Sequence, residues 1–350
     1  MKNTIKALIK KESKEGLFLE NVPMPVADDR DVLIKVKKTG ICGTDLHIFN
    51  WDAWAQKNIP VPMIIRHEFS GVVVNIGKNV KKIKIGDRVS AEGHIVCGYC
   101  RNCRAGKGQI CRNTKGIGVN VSGAFSEYIC IPESNIIKIP NDIEDKIAAL
   151  FDPLGNAFHT ALSFGVVGED VLITGAGPIG IMAAKICQSI GARKVILTDV
   201  NEERINLAKK LKIKLIYNTK QKSFESIINE NNMKEGFDVG LEMSGSNKAL
   251  NDMIKVMNYG GKIAALGIAS TALEVNWNEI VFKMLKIKGI TGREMFETWY
   301  KMIAMIQGGL NFENIITHEF HYTDFQKAFK IMKQGQLSLI HISEPTRPLH

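Results

Sequence analysis

Residues 171–199 read VLITGAGPIGIMAAKICQSIGARKVILTD. Val171, Leu172, Ile173 and Thr174 suit a buried strand, and three glycines follow, Gly175, Gly177 and Gly180. An apolar helical stretch comes next, then a strand predicted over 194–198 that ends on Asp199. A G-x-G-x-x-G pattern alone is a weak signal. Set between strand and helix, with an acid about 20 residues further on, it is the dinucleotide-binding fingerprint. Gly175 permits the tight turn, Gly177 a close backbone approach to a pyrophosphate, and Gly180 close packing of the helix, whose first N–H groups face the anion. Asp199 can accept from a ribose 2′-OH and would repel a 2′-phosphate, so NAD is expected rather than NADP.

Outward from this stretch the alternation persists. Helices are predicted over 203–211 and 248–257, and strands over 237–243, 262–266 and 285–290. Helices between parallel strands make a doubly wound sheet with ligand at its carboxyl ends, so the loops Leu266-Gly267-Ile268 and Ile290-Thr291 are expected to border the cofactor. From 295 the chain turns helical again, over 295–307 and 324–333, the last helix packing back on the first domain.

Upstream, residues 5–37 alternate apolar and polar around a Pro-containing turn, and 72–76 and 86–89 continue the pattern, as in a small antiparallel β domain. A helix is predicted over 143–150, with a hinge over 151–156. Within the β region Cys42, His67 and Glu68 offer sulfur, nitrogen and carboxylate, a set that suits zinc with one position open for substrate. Taken singly, Cys42 reads as a small buried hydrophobe and His67 as a loop histidine. Cys97, Cys100 and Cys103, closed by Cys111, form a four-thiolate set with the spacing of a closed structural zinc site. Arg101, Arg104, Lys107 and Arg112 leave a nucleic-acid-reading zinc knuckle open, but no aromatic stacking platform accompanies them. Asp152 reads as a helix-capping or loop residue, or as a carboxylate supporting the metal ligands.

At 350 residues the chain suggests about two domains, and its 45% hydrophobic and 23% charged residues are ordinary for a soluble globular protein. The net charge of +10 is scattered rather than gathered in a run. No signal-peptide core or membrane-length apolar run is read, so a cytoplasmic protein is expected, and seven cysteines then point to metal rather than disulfides.

The stretches ICGTDLHIFNWDAWAQ, HEF, CGYCRNCRAGKGQICRNT, FDPLGNAFHTALSF, GAGPIG, LEMSG and GREMFETWYKM resemble the zinc-containing medium-chain alcohol dehydrogenases, over residues 5–336. The first and last of these look like the branch that oxidises the 3-hydroxyl of L-threonine. The resemblance implies a Rossmann sheet over 156–295 inserted in a GroES-like catalytic domain, 1–155 with 296–336. It implies catalytic zinc on Cys42, His67 and Glu68, structural zinc on the four cysteines, and a proton relay through Thr44 and His47 with Asp152. It further implies NAD contacts from Ile179, Asp199, Arg204, Leu266 to Ile268 and Ile290 to Thr291, and a cytoplasmic homotetramer that degrades threonine. The same motifs admit a polyol or diol dehydrogenase, or an NAD-binding zinc protein without turnover.

Two departures from the family pattern stand out. Arg66 occupies the glycine position before His67, which predicts a strained backbone and lowered zinc occupancy, or a cation that pairs with a substrate carboxylate. The tail 337–350, with LSLIHISEPTRP in place of a short GKVIL-type strand, resembles translated adaptor DNA. It is read as non-native, leaving a neighbouring strand edge unpaired.

Overall fold

The computed structural model describes residues 3–233 and 235–333, and the backbone of 339–343. The chain divides into two compact units, Met1–Asp152 with Ile316–His350, and Pro153–Ile315.

The second unit is built on a six-stranded parallel sheet in the order Leu215–Asn218, Lys194–Asp199, Asp170–Thr174, Phe237–Glu242, Met257–Ala265, Lys286–Gly289. Every residue of Asp170–Thr174 is buried, which is why that strand reads as a run rather than an alternation. The strand order reverses direction between Asp170–Thr174 and Phe237–Glu242, which opens the ligand-binding crevice at their carboxyl ends. The helix Pro178–Ser189 starts with proline, whose missing N–H costs nothing in the first turn, and buries Ile181, Met182, Ala184 and Ile186. Strand Leu215–Asn218 and helix Phe224–Glu230 were not expected, because LIYN is too short to show a period.

Residues 296–315, expected in the first domain, lie in the second unit. Their anchors explain this. Trp299 is fully buried beneath the Arg293 guanidinium, and Phe312 packs edge-on against Phe158 at 6.3 Å with Lys185 over its ring. Helical periodicity shows that a face is buried, but not against which partner. The hinge expected over 151–156 is likewise the start of a helix, Phe151–Ala161, with Pro153 tolerated in its first turn.

The first unit centres on the long strand Asp31–Ile41, which pairs along one side with Phe69–Ile76. Its other side is shared. Asp31 to Lys35 pair with Tyr128–Pro132, and Lys38 to Ile41 with Leu339–Ser343. Leu339–Ser343 also runs parallel to Ile316–His321. The expectation of an unpaired edge is therefore corrected: part of the tail forms a strand seated between Asp31–Ile41 and Ile316–His321. Residues 334–338 and 344–350 lie outside the described residues. The helix Phe325–Lys333 packs within this unit, as expected, with Phe329 stacked on Phe49 at 4.8 Å.

Candidate active site

Strand Asp31–Ile41 ends at Cys42, which stands at the start of the helix Gly43–Asn50. The Asp45 carboxylate accepts from the Cys42 backbone N–H at 2.9 Å, a local bond that sets the thiol's position. His67 and Glu68 lie on the connection between the strands Met63–Ile64 and Phe69–Ile76. Cys42 Sγ is 3.9 Å from His67 Nε2, which is 3.8 Å from Glu68 Oε1, and the three donor atoms all lie within 4.8 Å of one another. Tetrahedral zinc with ordinary bond lengths holds such donors about 3.3–3.5 Å apart, so a few tenths of an ångström of closure fits this cup to the ion.

Burial raises the pKa of the Cys42 thiol, Asp45 raises it further and Arg66 opposes them. Burial also raises Glu68, where Arg66 pulls down while Asp152 and Asp45 push up. Asp152, buried in the first turn of its helix, thus sits close enough to Glu68 to act on its charge. Thr44 and His47 are one turn apart on the same helix, Thr44 half-buried and His47 exposed, with His47 Nδ1 paired to the Asp52 carboxylate.

Arg66 has φ +93°, the left-handed region a glycine would occupy without strain. Its guanidinium is fully buried, with one nitrogen on Asp45 Oδ2, another on Glu68 Oε2, and Nε donating to the Glu68 carbonyl at 3.1 Å. The positive φ agrees with the expected strain. The alternative of a substrate carboxylate as its partner is corrected, because two protein carboxylates already take the fork and no solvent reaches it.

The four cysteines gather without forming disulfides. Cys100 Sγ lies 3.5 Å from Cys103 Sγ and 4.0 Å from Cys111 Sγ, and Cys111 Sγ lies 3.6 Å from Cys97 Sγ. The edges of a tetrahedron with zinc–sulfur bonds of about 2.3 Å measure about 3.8 Å, so this set fits a zinc ion closely. Backbone N–H groups of Cys97, Cys100 and Asn113 point at the sulfurs, and those of Cys103 and Arg112 bring Cys100 down to about 6. Burial and the neighbouring thiols push Cys103 the other way, up to about 12, so the four share a site without sharing one acidity.

In the second unit Gly175 has φ +99°, and a Cβ on Gly180 would overlap the Gly175 carbonyl oxygen. Gly180 therefore admits the turn itself, more than it admits packing on the sheet. Gly177 caps the helix Pro178–Ser189 with no side-chain hydrogen bond and open space around its Cα, the cradle a pyrophosphate needs. Asp199 closes the adjacent strand; its Oδ2 accepts from Ala176 N at 2.7 Å and lies 3.8 Å from Arg204 Nη1. Leu266, Gly267 and Ile268 follow the strand Met257–Ala265, and Ile290 and Thr291 follow Lys286–Gly289, both at carboxyl ends, with Ile268 almost fully exposed. Ile179 is half-buried in the first turn of the glycine-rich helix.

Residues 28–141 match the family model described as the alcohol dehydrogenase GroES-like domain, and residues 178–308 the one described as zinc-binding dehydrogenase. The chain belongs to the zinc-binding alcohol dehydrogenase family. An L-threonine 3-dehydrogenase of Chelativorans sp. strain BNC1 is 58% identical over 336 residues, 96% of this chain and 98% of that protein. One from Sinorhizobium medicae is 56% identical over 335 residues, 96% and 97% of the two chains. The fold matches an Escherichia coli alcohol dehydrogenase complexed with NADH (TM-score 0.89, 26% identity, 98% and 100% of the chains). It also matches the 2R,3R-butanediol dehydrogenase of Bacillus subtilis (TM-score 0.86, 25% identity, 97% and 99%).

As a member of this family the dehydrogenase uses NAD and zinc. Sequence reading passed over several groups that shape its sites. Asp45 bonds both Cys42 and Arg66, yet looked like an ordinary residue of the first helical turn. Glu242, buried, accepts from Ser244 N at 2.8 Å and from Gly245 N, organising the turn beside Gly267. His159 Nδ1 faces the Gly292 carbonyl at 2.9 Å, beside the Ile290-Thr291 loop. Only the GLEMSG run hinted at Glu242, as an acid closing an apolar strand. Among the described residues, no helix is long and apolar enough to cross a membrane.

Proposed function

We propose that this dehydrogenase oxidises the 3-hydroxyl of L-threonine, with 2-amino-3-oxobutanoate, NADH and a proton as products from threonine and NAD. The observation that carries the reading is the Cys42–His67–Glu68 cup in a chain 56–58% identical, over 96% of its length, to L-threonine 3-dehydrogenases. Oxidising a secondary alcohol removes a proton from oxygen and a hydride from carbon. Zinc held by Cys42, His67 and Glu68 supplies the Lewis acidity that favours the ionised alcohol near neutral pH.

This chain's own residues manage the proton. The Thr44 hydroxyl takes it from the substrate oxygen and hands it to His47, one turn further toward solvent. His47 suits the task because an imidazole can accept a proton on one nitrogen and release one from the other, and the Asp52 carboxylate on Nδ1 holds the ring. Asp152, buried close to Glu68, is the further carboxylate of the relay. Gly177 at the helix start would hold the pyrophosphate of NAD and Asp199 its ribose, and the cofactor when bound would supply the hydride acceptor.

The working form is a homo-oligomer, a tetramer by the reading above, acting in the cytoplasm in threonine breakdown. Its support is the strand Lys286–Gly289, exposed throughout at the sheet edge, with Phe282 and Met284 beside it 75% and 78% exposed.

The test is NADH formation by the full chain with L-threonine, D-sorbitol and 2,3-butanediol, before and after chelation and zinc repletion. Threonine-dependent turnover that zinc restores is expected. Faster turnover of either diol-type substrate would overturn the assignment.

A further inference from the structure

The cup holds a feature that its donor set does not require. Glu68 is split between two duties: Oε1 faces His67 Nε2 at 3.8 Å, on the metal side, while Oε2 carries the Arg66 guanidinium. Arg66 is held on every side. Its carbonyl accepts from Ala124 N at 2.8 Å, its guanidinium spans Asp45 and Glu68, and the Phe125 ring lies 5.9 Å from it. Moving it to solvent would require breaking a fully buried fork of two ion pairs. Asp45 shows how tightly the charges are apportioned, since Oδ2 serves both Cys42 N and Arg66 while Oδ1 is buried without a hydrogen-bond partner.

We propose that Arg66 is a built-in competitor of the catalytic metal ion: it shares Glu68 with the ion, so the Cys42–His67–Glu68 site loads weakly and exchangeably while the four-cysteine site stays filled. Two physical effects act together. A carboxylate already bonded to a guanidinium donates less charge to a metal, and the two cations are separated by that one carboxylate. The four-cysteine set has no such rival, its sulfurs being met by backbone N–H groups that favour the thiolate. The inference concerns metal loading alone and holds whichever alcohol is the substrate.

The experiment titrates zinc into the full chain against a chromophoric chelator, with metal content read by elemental analysis and cobalt as an optical probe. The unmodified chain is expected to show two classes of site. One ion should resist the chelator, and a second should exchange with a rim-like, weaker affinity. Arg66→Gly is expected to tighten the second class about 10–100-fold, the magnitude by which outer partners of metal ligands act, with the sign reversed because this partner is itself a cation. Arg66→Ala separates charge from backbone strain: it retains a side chain at positive φ but removes the cation, so it should tighten the site as glycine does. Arg66→Lys should leave it weak. Two equally tight zinc ions in the unmodified chain would overturn the proposal. So would an alanine variant that binds as weakly as the arginine form, which would assign the effect to strain. If the alanine or glycine variant does not fold, Arg66→Met, which keeps a long side chain and removes the charge, should tighten the second class, and an unchanged weak site in it would overturn the proposal.

Discussion

In the proposed reading, one carboxylate, that of Asp199, carries the choice of cofactor. Its oxygens accept from Ala176, Val200 and Asn201 backbone N–H groups, so the side chain is fixed at the carboxyl end of its strand. Asp199→Ala removes a charge-assisted bond of about 1.5–3 kcal/mol, and NAD affinity is expected to fall by about 10–100-fold. NADP should gain relative to NAD, because the repulsion goes and Arg204, 3.8 Å away, is freed for a 2′-phosphate. Initial rates with both cofactors check this. An unchanged preference would place the discrimination elsewhere. At the relay, Thr44→Val keeps the shape and removes the hydroxyl, so kcat should drop about 10²-fold with little change in zinc content, while Thr44→Ser retains most activity.

The helix Phe151–Ala161 carries Asp152 at its start and, at its far end, His159, which holds the loop after the strand Lys286–Gly289. His159 is buried and donates from Nδ1 to the Gly292 carbonyl. Burial lowers its pKa below the ordinary 6.5, partly offset by the Gly292 bond and by Glu294. As pH falls below 6.5, the unfolded chain takes up this proton before the folded one does. Stability from this residue is therefore present above 6.5 and is lost as pH drops toward the lowered folded value. His159→Gln can still donate to Gly292 but cannot titrate. The difference in melting temperature between the native chain and this variant is expected to shift in favour of the glutamine as pH goes from 7.5 to 5.5. A difference independent of pH would show that His159 is not the titrating group.

At the scale of the whole molecule the exposed strand Lys286–Gly289 and its apolar neighbours predict self-association. Phe282→Glu with Ile287→Glu places charge on the exposed edge without touching a buried residue, so sedimentation should show a smaller species whose melting remains cooperative. Retention of the parent size would move the interface elsewhere. Much of this molecule is legible from residues alone. The glycine turn, the acid that closes the next strand and the clustered cysteines are local patterns, because each sets its groups close together in sequence. The αβ alternation specified the doubly wound sheet for the same reason, since a strand and its following helix are adjacent in the chain. Tertiary structure alone decided what long-range packing controls. It assigned Glu297–Gln307 to the second unit through Trp299 and Arg293, inserted Leu339–Ser343 between two strands of the first, and turned Arg66 inward onto Asp45 and Glu68. In sequence Arg66 is a cation with a free choice of partner. Only a buried, water-excluded neighbourhood commits a guanidinium to the carboxylates beside it, because leaving either charge unpaired there costs more than sharing it with a metal ion.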